Sequence, residues 1–144
     1  MKKEWKIKMS ENNTSSCCIA KTLCIIAELQ NNAEKFDCGA NTCDRRFLGN
    51  VSTSSFCFNT RPVSFYTCSG NLISLPYSFN GTEGTSSVFR VEKVDGCCCV
   101  CRILANNSDE SSELPYVDTN NFFTLNTDCV SILRCLDDTY IPCI

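Results

Sequence analysis

The residues best suited to chemistry are four cysteines that lie within five positions, in the stretch 96-GCCCVCRIL-104. A thiolate can attack a disulfide, bind a soft metal ion or enter a disulfide itself. Neighbours in this run are poorly placed to pair with each other, because consecutive Cα atoms lie ~3.8 Å apart whereas an ordinary disulfide needs ~4.4–6.8 Å. Their partners are therefore expected elsewhere in the chain, on a metal ion or on another molecule.

The composition of the chain excludes several kinds of site. Fourteen of the 144 residues are cysteines, the density of a crosslinked scaffold. Histidine is absent, which excludes Cys–His and Ser–His catalysis and every zinc site that needs imidazole. The net charge is −3 with acidic and basic residues mixed, so nucleic acid is not an expected partner. A chain of this length can bury a core without disulfides.

The start of the chain does not have the pattern of an export signal. The basic stretch MKKEWKIKM is followed by the polar stretch SENNTSS, where a signal peptide has an apolar core of ~7–15 residues. The first apolar run, 17–29, contains Lys21 and Glu28 and is too short to span a bilayer. We therefore expect synthesis in the cytosol, where thiols stay reduced, followed by later oxidation, and we expect no membrane partner.

One amphipathic helix is predicted over about residues 17–35, after the N-cap candidates 14-TSS-16. Its predicted core face contains apolar residues at helical spacing: Ile19, Leu23, Ile26, Leu29 and Ala33. The opposite face contains Cys17, Lys21, Cys24, Glu28 and Asn31. Two cysteines of the helix, Cys17 and Cys24, are therefore predicted to face solvent.

From residue 36 onward the chain has the pattern of short β-strands separated by turns. Segments rich in Val, Phe, Thr and Tyr alternate with stretches that contain Gly, Pro and Asn. The predicted strands are 54–58, 63–68, 71–75, 87–94, 97–105, 122–125 and 129–136. The expected fold is mainly β, a small antiparallel β-sandwich over about residues 43–144 preceded by the N-terminal helix. Residues 1–13 are predicted to be a tail, and residues 14–144 a single cysteine-rich domain.

The strongest local prediction is a hairpin in 88-VFRVEKVDGCCCVCRI-103, because Asp95-Gly96 is a favoured two-residue turn. That turn would pair Val94 with Cys97 and Arg90 with Cys101. The predicted core face then contains Phe89, Val91, Cys98, Val100 and Leu104. The predicted solvent face contains Arg90, Glu92, Cys97, Cys99 and Cys101. A slip of one residue in the register would reverse these faces.

Two alternatives start from the CxxC motif of Cys98 and Cys101. Structural zinc needs four thiolates, and a second pair, either Cys38 and Cys43 or Cys129 and Cys135, would complete the set. A thiol–disulfide oxidoreductase normally has its CxxC at the start of a helix, whereas this motif continues into β-like sequence. We predict no catalytic residue, no metal site and no cofactor, and we keep the zinc-binding domain and the oxidoreductase as alternatives.

Five segments of the sequence match those of a known family: 15-SSCCIAKTLCIIAELQNNAE-34, 43-CDRRFLG-49, 59-NTRPVSFYTCSG-70, 87-SVFRVEKVDGCCCVCRIL-104 and 129-CVSILRCLDD-138. By these segments the chain resembles the cysteine-rich spore coat and exosporium proteins of endospore-forming bacilli, the spore coat protein Y and Z group. The Asn-Thr-Arg-Pro and Arg-Val-Glu segments together are the most specific part of the match. The sequence departs from the family pattern at its N-terminal extension and in its C-terminal cysteines, which are reduced to Cys129, Cys135 and Cys143.

The resemblance implies a structural protein without catalytic residues. Its copies are expected to assemble into a two-dimensional lattice in the outer spore layers, coat or exosporium, and to become linked by disulfides. The expected partners are other copies of this chain and other coat or exosporium proteins, at the spore surface, after synthesis in the mother-cell cytosol without a signal peptide. The expected intermolecular cysteines are Cys17, Cys18, Cys24, Cys97, Cys99 and Cys101. The expected core or intrachain cysteines are Cys57, Cys98 and Cys135.

Overall fold

The computed structural model describes residues 18–33, 43, 58–109, 111–112, 114–142 and 144. These residues form one α-helix, α1 (Cys18–Asn31), and seven strands: β1 (Val63–Thr67), β2 (Leu75–Phe79), β3 (Thr82–Ser86), β4 (Val88–Asp95), β5 (Cys98–Asn106), β6 (Tyr116–Asn126) and β7 (Val130–Cys135). A single-turn 3-10 helix, Thr127–Cys129, joins β6 to β7. The predicted fold class, mainly β after one N-terminal helix, is confirmed.

The strands form a five-stranded antiparallel sheet in the order β6-β5-β4-β1-β7 and a two-stranded hairpin, β2-β3. β1 is joined to β4 through one residue pair, Val63 with Phe89, whereas β5 pairs with β4 and β6 over most of its length. The core joins one face of the large sheet to the buried face of α1, and Ile73, Leu75 and Tyr77 pack against it. This arrangement has the two-layer packing of a small sandwich.

The centre of the core is formed by aromatic and aliphatic side chains of the large sheet. Phe65 stacks on Phe89 with ring centroids 5.8 Å apart, and Phe123 meets the edge of Phe89 at 4.8 Å. Leu23 and Ile26 of α1 pack into the same cluster. Burying a side chain of this size contributes about 1.5–3 kcal/mol, so the core is substantial without any crosslink.

The helix is rotated relative to the predicted face. Its buried residues include Cys24 and Gln30, whereas Leu29 is 50 % exposed. The Gln30 amide explains the rotation, because its Nε2 donates to the Val91 carbonyl at 2.7 Å and its Oε1 accepts from the Arg61 N–H at 3.0 Å. The prediction that Cys24 faces solvent is therefore wrong.

Most of the predicted strands are present, but one hairpin was missed. Asn80-Gly81, predicted as part of a loop, is a two-residue turn between β2 and β3 in which Phe79 pairs with Thr82. Both turn residues have positive φ, 52° and 77°, as a type I′ turn requires. The strand predicted over 71–75 begins only at Leu75. Residues 54–57 of the first predicted strand lie outside the described residues.

The β4–β5 hairpin exists, but its turn is displaced by one residue. Asp95 pairs with Cys98 and Val94 with Cys99, so the turn is Gly96-Cys97. Gly96 has φ 61°, as the first central residue of a type II′ turn does. The faces of β5 are consequently reversed: Cys99 and Cys101 are fully buried, and Cys98 is exposed. The predictions that Cys99 and Cys101 face solvent and that Cys98 lies in the core are wrong.

The other face of the large sheet bears a charge network that is satisfied within the chain. Glu92 accepts hydrogen bonds from Arg90 at 2.6 Å and from Arg102 at 3.1 Å, and Arg102 also donates to Asp118 at 2.7 Å. The Arg102 guanidinium lies over the Phe122 ring, 4.5 Å from its centroid. Two cations and two anions neutralise each other, so this network offers a partner no net charge.

Candidate crosslinking site

The ten described cysteines carry thiols rather than disulfides, and they divide by exposure into two groups. The buried group consists of Cys24, Cys99 and Cys101. The exposed group consists of Cys18, Cys43, Cys68, Cys97, Cys98, Cys129 and Cys135. Because a thiol reacts as the thiolate and needs access to its partner, the exposed group defines the candidate site.

Two of the three buried thiols, Cys24 and Cys101, lie in an environment that keeps them protonated, whereas the hydrogen bond with Cys101 lowers the pKa of Cys99. The Sγ atoms of Cys99 and Cys101 are 3.6 Å apart, and both side chains are fully buried in the core cluster. The contact with Cys99, together with burial, raises the pKa of the Cys101 thiol well above its ordinary value. Burial also raises the pKa of Cys24, and the neighbouring Cys99 adds to the effect. A neutral thiol without solvent access is a poor nucleophile.

Four of the exposed cysteines are gathered around the 3-10 helix. The Cys97 carbonyl accepts hydrogen bonds from the Thr127 N–H at 2.8 Å and from Thr127 Oγ1 at 3.1 Å. Cys129 ends the same helix, and the next residue, Val130, pairs with Thr67 at the end of β1. Cys68 is the residue that follows Thr67 in the sequence. We call Cys68, Cys97, Cys98 and Cys129 the thiol patch.

Backbone and side-chain hydrogen bonds fix the position of the thiol patch. The Asn126 side chain caps the 3-10 helix by accepting from the Asp128 N–H at 3.0 Å. Asn126 also pairs with Cys98 across the β5–β6 ladder. On the other side, Ser131 Oγ donates to the Thr67 carbonyl at 2.8 Å. Since Thr127 is buried, the patch lies on an ordered part of the fold.

The remaining predicted cysteines are placed as follows. Cys135, predicted as a core or intrachain residue, is exposed at the far end of β7, where it pairs with Val63. It is six residues from Cys129, which corresponds to about 20 Å along an extended strand. Cys18 is exposed at the first residue of α1. Cys17 and Cys57 lie outside the described residues.

Two members of the thiol patch, Cys68 and Cys129, were not proposed as crosslinking residues from the sequence. A signal for Cys68 was present, because it directly precedes the turn residues Ser69-Gly70 and turns lie at the surface. Cys129 follows Asn126 and Asp128, polar residues that favour turns, but it was assigned to a strand that in fact begins at Val130. A position at the exposed end of a strand is thus the sequence signal that identifies both cysteines as candidate crosslinking residues.

The geometry of the CxxC motif does not suit chelation. Cys98 is exposed and Cys101 is buried on the other side of β5, as residues three apart on a strand must be. The motif lies within a strand and not at the start of a helix, so no helix N-terminus stabilises a thiolate there. Among the described residues, no group of three or more Cys, Asp or Glu side chains is arranged to hold a metal ion.

The described residues form a cysteine-rich, mainly β domain with a closed core and exposed thiols. Its sequence matches the family model described as spore coat protein Z over residues 7–138, and the chain therefore belongs to the spore coat protein Z family. Membership of that family identifies it as a structural component of the spore coat, in agreement with the resemblance of the five segments. In the two other comparisons, no curated protein and no solved structure matches the chain. Within the described residues, α1 is neither long nor apolar enough to cross a membrane.

Proposed function

We propose that this chain is a self-assembling building block of the outer spore layers, which forms a two-dimensional lattice and is then locked by disulfides between molecules. The observation that supports this proposal is the distribution of the thiols. Seven of the ten described cysteines are exposed and free, while the core is closed by side chains alone. Thiols that are not needed to hold the fold are available to join it to its neighbours.

The physical benefit of disulfides between subunits is that the assembly resists dissociation by detergent and heat. Non-covalent contacts between subunits dissociate in detergent or heat, whereas a disulfide between folded subunits must be reduced or broken first. Synthesis in the reducing cytosol and oxidation after assembly would allow subunits to find their contacts before the contacts become permanent. Other coat proteins with exposed thiols would be joined to the lattice by the same chemistry.

The experiment is to express the full chain in a reducing cytosol, purify it with reductant and then oxidise it with oxidised glutathione. We expect ordered sheets by electron microscopy and a ladder of multimers on non-reducing gels that collapses to the monomer on reduction. Sheets that persist after reduction would show that packing builds the lattice and that disulfides only lock it. A protein that stays monomeric and soluble after full oxidation would refute the proposal.

A further inference from the structure

We infer that the thiol patch is the surface through which two copies of this chain are joined, patch against patch about a two-fold axis. This inference rests on the proposed function and specifies which thiols make the first bonds. Four of the seven exposed described thiols lie in the patch, held together by the contact of Thr127 with Cys97 and the pairing of Val130 with Thr67.

The thiols of Cys97 and Cys98 are available to a second molecule. Cys97 and Cys98 are neighbours in sequence, and neighbours are too close for an ordinary disulfide. Cys97 lies in the tight turn and Cys98 at the first position of β5, so neither can move far towards another strand without breaking the hairpin. Two adjacent thiols on a rigid turn can each bond a different cysteine across an interface.

A contact about a two-fold axis uses the high number of thiols in the patch better than any other arrangement. In an isologous contact the same surface lies on both sides, so the four thiols of one copy face the four of the other. Once one disulfide has formed, the remaining thiols meet at a high effective concentration, and further bonds close within the joined pair. A contact closed by several bonds comes apart only when all of them are reduced at once.

The chemistry of each bond balances with a small-molecule disulfide as the oxidant. A patch thiolate attacks oxidised glutathione, forms a mixed disulfide and releases one glutathione thiol. A thiol of the second copy then attacks the mixed disulfide and releases the other glutathione. Two protein thiols are thus oxidised to one disulfide, and one glutathione disulfide is reduced to two thiols.

The competing arrangement is head to tail, with Cys135 of one copy bonded to the patch of the next. Cys135 is a single exposed thiol about 20 Å along β7 from Cys129. Cys135 is therefore the matched control, because it has the same chemistry and exposure class at a distant position.

The test compares the unmodified chain with two variants. The patch variant combines Cys68→Ser, Cys97→Ser, Cys98→Ser and Cys129→Ser, and the control variant is Cys135→Ser. Equal amounts of ¹⁴N- and ¹⁵N-labelled protein are mixed, oxidised with oxidised glutathione, separated on non-reducing gels and mapped by mass spectrometry. Urea unfolding in reductant checks that both variants fold.

We expect the patch variant to lose dimer formation by about tenfold or more, because the multivalent contact is removed, and the control variant to keep it. Mixed-isotope disulfides should join one patch peptide to another. Dimers linked through Cys135, dimers of the patch variant at the unmodified yield, or a bond between Cys68 and Cys129 of one chain would each overturn the inference. If instead the unmodified chain forms no intermolecular disulfide at all, the proposed function itself fails. Should the patch variant not fold, the location of the bonds in the unmodified chain decides between the same outcomes.

Discussion

The Gln30→Met substitution tests whether a single amide sets the orientation of α1 on the sheet. Gln30 is 8 % exposed. Its Nε2 donates to the Val91 carbonyl of β4 at 2.7 Å, and its Oε1 accepts from the Arg61 N–H at 3.0 Å. Methionine has a similar size and helix propensity, but its thioether can replace neither hydrogen bond. The substitution therefore removes two polar contacts while changing the packing little.

The expected loss of unfolding free energy follows from the two backbone groups that the substitution leaves without a hydrogen-bond partner. Val91 is fully buried, so its carbonyl loses a partner that water cannot replace, at a cost of about 1–3 kcal/mol. Arg61 is only partly buried, so water can reach its N–H and the additional cost is roughly 0.5–1 kcal/mol. The total is about 1.5–4 kcal/mol. This is a large fraction of the ~5–15 kcal/mol that stabilises an ordinary domain.

The assay is urea unfolding followed by far-UV circular dichroism in the presence of reductant, so that thiol oxidation plays no part. The matched control is Asn31→Met, which makes the same amide-to-thioether change at the next, exposed position of the helix. We expect the control to stay within about 0.5 kcal/mol of the unmodified chain. If the two variants are equally stable, the Gln30 amide does not hold the helix in place and our explanation of its rotation is wrong.

Two further predictions concern a thiol and a carboxylate. A short pulse of iodoacetamide on the reduced protein should label Cys97 at least about 100-fold faster than Cys99 or Cys101, because the buried thiols react only when the core opens. The labelling rates are measured by mass spectrometry against a urea-unfolded control. Equal rates for the three thiols would contradict the burial of Cys99 and Cys101. The hydrogen bond from Arg61 holds the pKa of Asp138 below its ordinary value, so this pair stabilises the fold above that value and the contribution disappears as the pH falls through the lowered pKa. Asp138→Asn should therefore cost up to about 1 kcal/mol at pH 7, a small value because the pair is partly exposed, and progressively less as the pH falls below the ordinary pKa of an aspartate. A cost in urea unfolding that does not change as the pH falls would exclude this explanation.

The existence of the helix and the β4–β5 hairpin could be predicted from the sequence because periodicity and turn residues are local signals. The register of the hairpin could not be predicted in the same way, since Asp95-Gly96 and Gly96-Cys97 both fit two-residue turns. One signal would have favoured the observed register. The predicted core face of β5 includes the position of Arg102, whereas the alternate positions, 99, 101, 103 and 105, contain no charged residue.

The side chains that face the core also depend on irregularities that the sequence does not reveal. β4 contains a bulge at Glu92, since Val91 pairs with Cys101 and Lys93 with Val100. Beyond the bulge the alternation changes phase, so both Val91 and Val94 contact the core. A strict period of two cannot describe such a strand. The position of the thiol patch likewise depends on the hydrogen bonds that fix the 3-10 helix, which is a tertiary property.

The outer edges of the large sheet are poorly suited to joining copies by strand addition. In β7, Ser131 is an extra residue between the two that pair with Tyr66 and Thr67. In β6, Thr119 and Asn120 are extra residues opposite β5, and Asn120 has φ 59°. Bulges of this kind protect edge strands from pairing with other chains. In the assembly proposed above, copies of this chain would therefore meet through side chains at these edges, which is the contact that thiols can make permanent.

Assembly through side chains leaves the strand content of each subunit unchanged, whereas strand addition would extend the sheet across the contact. The amide I infrared band of the oxidised lattice should therefore have the same β component as that of the reduced monomer. A band shifted towards the low frequency of extended intermolecular sheets would show that the bulged edges do pair. In that case the disulfides would secure a β-sheet that continues from one copy to the next, and not a contact between thiol patches. The positions of the exposed thiols would then have to be explained by their distance from the paired edge strands.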